Sequence, residues 1–179
     1  SWYVFLSIVI QFSSQCLASQ KENNLFLLHI FVPVNFVCLS IFYQKVFSHF
    51  IHRNLLWWIM SLFVVFSIVN SLCWQTIETF NSYALSLESV LLIIYSLSLF
   101  ALLLNESVQK EKKTILASLR WINAGILIYY TSGLLIFYFG DLLTHFSKVR
   151  FEISWRFHSF IYIIQFICIS IGLWKHLKN

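Results

Sequence analysis

One carboxylate lies inside an apolar stretch of this sequence, and it is the strongest candidate for a functional side chain. Glu88 lies within the mostly apolar run from Ser82 to Leu104. Placing an acidic residue at the middle of a membrane costs about 2.5–3.5 kcal/mol, so such a residue faces protein or water rather than lipid. A sheltered carboxyl can act as a general acid or base, carry a proton, or hold helices together by hydrogen bonds. The run predicts an inward-facing Glu88 with either a functional or a structural role.

Two histidines occupy comparable positions in other apolar runs. His29 and His158 each lie about one helical turn inside a run, where an imidazole could carry a proton or ligate haem or a metal. No HxxxH pair, HExxH, GxSxG, Walker A or Rossmann glycine pattern accompanies them. The sequence therefore predicts no cofactor, with haem or a metal at these histidines as the open alternative.

The composition indicates what kind of secondary structure positions these residues. Of the 179 residues, 59% are hydrophobic and 11% are charged, against about 25% charged in ordinary globular domains. A soluble domain is excluded by that balance. The apolar runs predict an all-α, polytopic transmembrane helical bundle that forms one domain over residues 1–179. Its six spans are predicted at about 2–18, 25–47, 55–74, 82–104, 119–140 and 153–174. Because the chain begins with Ser1 and not Met, a seventh span upstream is left open.

Alternating hairpins bring the polar parts of these spans to one leaflet. The second halves of spans one, three and five lie on the same membrane side as the first halves of spans two, four and six. Each span also carries a polar stripe at helical spacing. We expect a polar pocket near that leaflet. Its predicted lining residues are Glu88, His29, His158, Gln15, Asn70, Tyr95 and Tyr162.

The basic residues give the orientation. The net charge is +5, and the predicted turns on one side carry twice as many Lys and Arg residues as those on the other. The positive-inside rule therefore predicts a multi-pass protein with a cytoplasmic C-terminus and a pocket that opens outward. We expect the basic turns to contact anionic membrane lipids or a protein partner. No aromatic and basic surface of the kind that binds nucleic acid is present.

Short motifs carry a resemblance. The stretches Asn81-Ser-Tyr, Leu87-Glu88-Ser and Trp121-Ile-Asn-Ala-Gly-Ile-Leu-Ile-Tyr-Tyr130 resemble small multispanning membrane proteins of Bacteroidota. The resemblance implies a bacterial inner-membrane location and implies no activity. It adds weight to Glu88 and to the Trp121-x-Asn123 pair.

Three functions follow from these expectations. The favoured one is an integral membrane binding or sensing module that receives a small ligand or a lipid headgroup in the pocket. A membrane-embedded enzyme would use Glu88 as acid or base, with His29 or His158 as metal ligand or proton carrier. A proton- or ion-linked transporter or channel is the third. Four glycines and one proline weigh against a transporter that rocks on interrupted helices, and missing catalytic motifs weigh against an enzyme.

Overall fold

The computed structural model describes residues 2–20, 22–48, 50, 52–105, 113–138 and 148–177, and all regular structure in those residues is helical. The prediction of an all-α protein is confirmed. The helices are α1 (Trp2–Ser19), α2 (Phe26–Val46), α3 (Arg53–Val69), α4 (Ser82–Leu103), α5 (Lys113–Tyr138) and α6 (Lys148–Leu177). A π-helical turn, Asn70–Trp74, continues α3.

Four helical segments in the described part are long and apolar enough to cross a membrane, which is the signature of an integral membrane protein. These segments are Phe26–Val46, Asn54–Trp74, Ser82–Leu103 and Arg156–Leu177. A shorter apolar helix covers Tyr3–Leu17. The count of six crossings stays a prediction.

The predicted spans differ most from the helices in the C-terminal half. α5 begins at Lys113 where a start at 119 is predicted, and α6 begins at Lys148 where 153 is predicted. The predicted spans follow the apolar runs, whereas a helical backbone makes its own hydrogen bonds and continues into flanking polar residues. The predicted end of the fifth span at 140 lies outside the described residues.

The chain divides into two compact units, Ser1–Glu88 and Ser89–Asn179. The boundary falls within α4, and the prediction of one domain stays a prediction. In the first unit, α1 packs on α2 and α2 packs on α3. Aromatic rings fill the contact between α2 and α3, where the centroids of Phe36 and Phe63 lie 4.1 Å apart. Pro33 lies inside α2 without ending it.

In the second unit, α5 and α6 pack closely along their length. A Cβ atom placed on Gly125 would lie 2.8 Å from Cβ of Cys168 and 3.0 Å from the carbonyl oxygen of Gln165. The hydroxyl of Ser118 donates to the carbonyl of Gly172 at 2.7 Å. Small residues that let backbones approach are the usual means of helix association in lipid.

Candidate functional site

The π-helical turn at the end of α3 brings distant polar residues of the first unit together. The backbone N–H of Asn70 contacts the carbonyls of both Phe66 and Ser67, and the N–H of Gln75 donates to the carbonyl of Asn70 at 2.8 Å. This five-residue closure widens the last turn of the helix. Such turns are rare in proteins, and those that occur are often found at functional sites.

Four neutral side chains meet at this turn and at the start of α4, and we call them the amide cluster. Its members are Asn70, Gln75, Asn81 and Ser82. Nδ2 of Asn70 donates to Oε1 of Gln75 at 3.0 Å and to Oδ1 of Asn81 at 2.8 Å. Nε2 of Gln75 donates to the hydroxyl of Ser82 at 2.7 Å. All four residues are buried, and Asn70 and Asn81 have no exposed surface at all.

A backbone donor fixes the orientation of every amide in the cluster. The N–H of Tyr83 lies 3.1 Å from Oε1 of Gln75, and because an N–H can only donate, this atom must be the oxygen. The atom of Asn70 that faces this oxygen must then be nitrogen. The atom of Asn81 that faces the same nitrogen must be oxygen.

Two atoms of the cluster remain without a hydrogen-bond partner among the described residues. They are Oδ1 of Asn70, an acceptor, and Nδ2 of Asn81, a donor. Flipping an amide would not satisfy them, because the chain of contacts from Tyr83 fixes which atom is which. The amide cluster therefore has unused capacity both to accept and to donate a hydrogen bond.

His29 lies beside the amide cluster in the first turn of α2. Its Nδ1 is 2.7 Å from the hydroxyl of Ser71, the neighbour of Asn70, and its Nε2 is 3.1 Å from the carbonyl oxygen of Thr79. The residues from Thr76 to Thr79 are exposed. The imidazole is thus buried at the edge of a turn that reaches solvent.

Glu88 makes a separate polar contact, more than one helical turn after Ser82 on α4. Its Oε1 accepts a hydrogen bond from Nδ2 of Asn35 on α2 at 2.7 Å. Glu88 is 1% exposed and Asn35 is 3% exposed. The carboxyl is thereby tied to the facing helix of its own unit, as a buried acidic group requires.

The second unit contains a different polar contact, between α5 and α6. The hydroxyl of Tyr129 lies 3.1 Å from Nε2 of His158. The ring of Tyr129 is also 5.3 Å from the ring of Tyr162. Tyr95, on the part of α4 that belongs to this unit, is buried.

The seven predicted pocket residues therefore divide between the units. His29 contacts the hydroxyl of Ser71, the chain neighbour of Asn70. Tyr129 contacts both His158, through its hydroxyl, and Tyr162, through its ring. Gln15 is exposed on α1. A pocket that combines all seven residues stays a prediction.

The predicted pocket lining omits seven residues that the structure brings into these contacts, namely Asn35, Ser71, Gln75, Thr79, Asn81, Ser82 and Tyr129. Asn35 had a usable signal, because it is a lone amide in the same apolar run as His29. Tyr129 adjoins Tyr130, and spacing alone could not decide which of the two faces α6. Thr79 contributes its backbone carbonyl, for which a sequence gives no signal.

Metal ligands do not cluster in the part of the chain that the structure describes: it contains no group of three or more His, Cys, Asp or Glu residues suited to a metal ion. No protein-family model, curated protein or solved structure matches the chain. Function therefore has to be inferred from the chemistry of the site.

Proposed function

We propose that the chain is an integral membrane binding or sensing module and that its first unit binds a small polar ligand at the amide cluster. The observation that carries the proposal is the pair of unused atoms, Oδ1 of Asn70 and Nδ2 of Asn81. Leaving a buried polar group unsatisfied costs about 1–3 kcal/mol. A molecule that offers one donor and one acceptor would satisfy both atoms.

The chemistry of the cluster favours an uncharged ligand. Its members are three carboxamides and one hydroxyl, and the unused pair consists of one acceptor and one donor. A phosphodiester or a fully ionised phosphate offers only acceptors and would leave the oxygen of Asn70 without a donor. The ligand class is therefore a small neutral molecule, or the neutral polar part of a lipid headgroup, with hydroxyl or amide groups.

The position of the cluster supports access from one membrane surface. It lies at the end of the apolar segment Asn54–Trp74, next to the exposed residues 76–79. By the positive-inside rule, the distribution of Lys and Arg favours an arrangement with this end outside and the C-terminus in the cytoplasm. The resemblance to membrane proteins of Bacteroidota supports a bacterial inner membrane. On this arrangement the ligand enters from outside, and the basic turns contact anionic lipid or a partner protein.

Compounds that co-purify with the protein test the ligand. The protein is purified in lipid nanodiscs, and the small molecules that it retains are extracted and identified by mass spectrometry. Asn70→Leu removes the unused Oδ1 of Asn70 and also its Nδ2, which donates to Gln75 and Asn81. We therefore expect at least a tenfold loss of the retained compound. Asn54→Leu is the matched control, because Asn54 is an exposed asparagine on α3, and it should retain the compound fully.

Water is the competing occupant. A high-resolution structure in nanodiscs distinguishes the two, because a ligand gives continuous density beyond a single water at Asn70 and Asn81. Isolated water density there, together with no compound retained by the wild-type protein, would contradict the proposal. The cluster would then hold α3 and α4 together without binding a ligand.

A cysteine label tests the orientation. Glu78 is exposed in the turn next to the cluster, and Glu78→Cys in a Cys73→Ser background provides a thiol there. We expect a membrane-impermeant maleimide to label this thiol in intact cells. Labelling only after the membrane is opened would place this turn in the cytoplasm.

A further inference from the structure

We propose that His29 is a proton-binding site and that uptake of a proton turns the hydroxyl of Ser71 from the imidazole to the carbonyl of Ser67. The proposal rests on hydrogen-bond contacts within the first unit and does not require the ligand proposed above. The imidazole of His29 is 7% exposed, so protein atoms dominate its surroundings.

Two of the contacts around this imidazole can run in only one direction. The carbonyl oxygen of Thr79, 3.1 Å from Nε2 of His29, only accepts, so Nε2 carries a hydrogen. The carbonyl oxygen of Ser67, 2.9 Å from the hydroxyl of Ser71, also only accepts. That contact uses the single hydrogen of the hydroxyl. The 2.7 Å contact between Nδ1 and Ser71 must then take its hydrogen from the ring.

Only the imidazolium provides a hydrogen for each of the three contacts, which are Nε2 with Thr79, Nδ1 with Ser71, and Ser71 with Ser67. In the neutral ring with its hydrogen on Nε2, Nδ1 is an acceptor, and the hydroxyl of Ser71 turns to donate to it. The contact from Ser71 to Ser67 is then lost. In the other neutral tautomer the contact with Thr79 is lost instead. On proton uptake, a proton from hydronium bonds to the lone pair of Nδ1, the O–H bond of the hydronium breaks to leave water, and no covalent bond of the protein breaks.

Both arrangements are accessible because the carbonyl of Ser67 has a second donor. The backbone N–H of Asn70 also contacts it, so this oxygen keeps a partner when the hydroxyl of Ser71 turns away. Ser71 lies in the π-helical turn directly after Asn70. The proton on His29 therefore changes the hydrogen bonds of the turn that holds the amide cluster.

No ionisable side chain is among the described contacts of the imidazole. Its two ring contacts are to a hydroxyl and to a carbonyl, and neither partner is charged. Glu22 and Glu78 are exposed, Glu88 is buried against Asn35, Cys16 is partly buried and Cys73 is exposed. Lys21 lies outside the described residues. Because Thr79 belongs to an exposed turn, water reaches the neighbourhood of the ring without crossing the core.

Nitrogen NMR of the histidine rings tests the proposal directly. The protein is labelled with ¹⁵N-histidine and with ¹⁵N in the asparagine side chains, placed in nanodiscs without added ligand and titrated from about pH 8 to about pH 5, the range in which imidazoles ordinarily change charge. His29→Gln identifies the signals of this ring. We expect the tautomer with hydrogen on Nε2 at the basic end, and hydrogen on both nitrogens at the acidic end. The side-chain amide signals of Asn70 should shift together with the ring.

Two serine variants separate the relay from a general effect of pH. Ser71→Ala removes the hydroxyl, so we expect the pH-dependent shift of the Asn70 signals to fall at least about twofold while the ring still titrates. Ser61→Ala is the matched control on the exposed face of α3 and should leave that shift unchanged. The proposal is overturned by a neutral ring with hydrogen on Nδ1, by a ring that stays neutral to the acidic end, or by Asn70 signals that ignore pH in the wild-type protein.

Discussion

Polar and small residues serve different purposes in the amide cluster of the first unit and in the α5–α6 pair of the second. In the amide cluster, side chains bond to one another and leave an acceptor on Asn70 and a donor on Asn81. In the α5–α6 pair, the hydroxyl of Ser118 donates to the backbone carbonyl of Gly172 across the interface. Gly125 allows the two helices to approach closely. Polar residues in apolar helices therefore do not by themselves indicate binding. What distinguishes the amide cluster is an unused acceptor and an unused donor within one set of bonded side chains, at Asn70 and Asn81.

The largest expected effect comes from breaking the α5–α6 pair. Gly125→Val places a branched side chain where a Cβ alone would lie 2.8 Å from Cβ of Cys168 and 3.0 Å from a backbone oxygen. The backbone cannot yield without separating the helices, so we expect a loss of about 3 kcal/mol in the free energy of unfolding. Unfolding by SDS in mixed micelles measures it. Ala101→Val, at an exposed position on α4, is the control and should change stability by less than about 0.5 kcal/mol. A loss below about 1 kcal/mol for Gly125→Val would contradict the close approach of the two helices.

The next effect comes from the amide cluster. Asn70→Leu removes the donor to the buried oxygen of Asn81 and one of the two donors to the buried oxygen of Gln75, which keeps the N–H of Tyr83. We expect the free energy of unfolding to fall by about 2 kcal/mol. Asn54→Leu, on the exposed face of the same helix, should be close to neutral in the same SDS titration. If both variants are neutral, water replaces the lost donor and the cluster does not hold the turn.

The architecture and the cluster differ in how far the sequence predicts them. Long apolar runs define the helices, because only a helix satisfies its backbone within an apolar stretch. The burial of Glu88, His29 and Asn70 is likewise readable, since an isolated polar residue in such a run avoids lipid. The exposure of Gln15 is not readable, because a polar stripe does not tell which face a neighbour covers.

The π-helical turn was beyond sequence reasoning for a related reason. The side chains of this turn contact residues outside α3. The bond from His29 to Ser71 and the bond from Asn70 to Asn81 are two such contacts. Local spacing within α3 contains no signal for either.

A smaller effect distinguishes charge from hydrogen bonding at Glu88. Glu88→Gln keeps an oxygen that can accept from Asn35, so we expect the free energy of unfolding to change by less than about 1 kcal/mol. Because the contact of Glu88 with Asn35 lies outside the amide cluster, we expect the amount of co-purified ligand to stay the same, and a severalfold fall would add the carboxyl to the ligand site. Glu78→Gln, which removes an exposed carboxylate, is the matched control for both measurements. Unchanged ligand retention would reduce Glu88 to a structural role in joining α4 to α2.

The smallest expected effect tests whether the second unit serves packing alone. Tyr129→Phe removes the hydroxyl that contacts Nε2 of His158 and keeps the ring that packs on Tyr162. Polar contacts between helices in lipid average about 0.6 kcal/mol, so we expect a loss of that size in the SDS titration. Tyr138→Phe, at an exposed tyrosine of the same helix, should be neutral.

The comparison between the two regions also predicts what Tyr129→Phe leaves unchanged. Because the hydroxyl is used within the α5–α6 pair, its removal should alter neither the amount of co-purified ligand nor the titration of His29. A tenfold loss of ligand in this variant, with the fold intact, would show that the second unit takes part in binding. Polar residues of both units would then have to be counted in the ligand site, and the distinction between a packing pair and a binding cluster would fail.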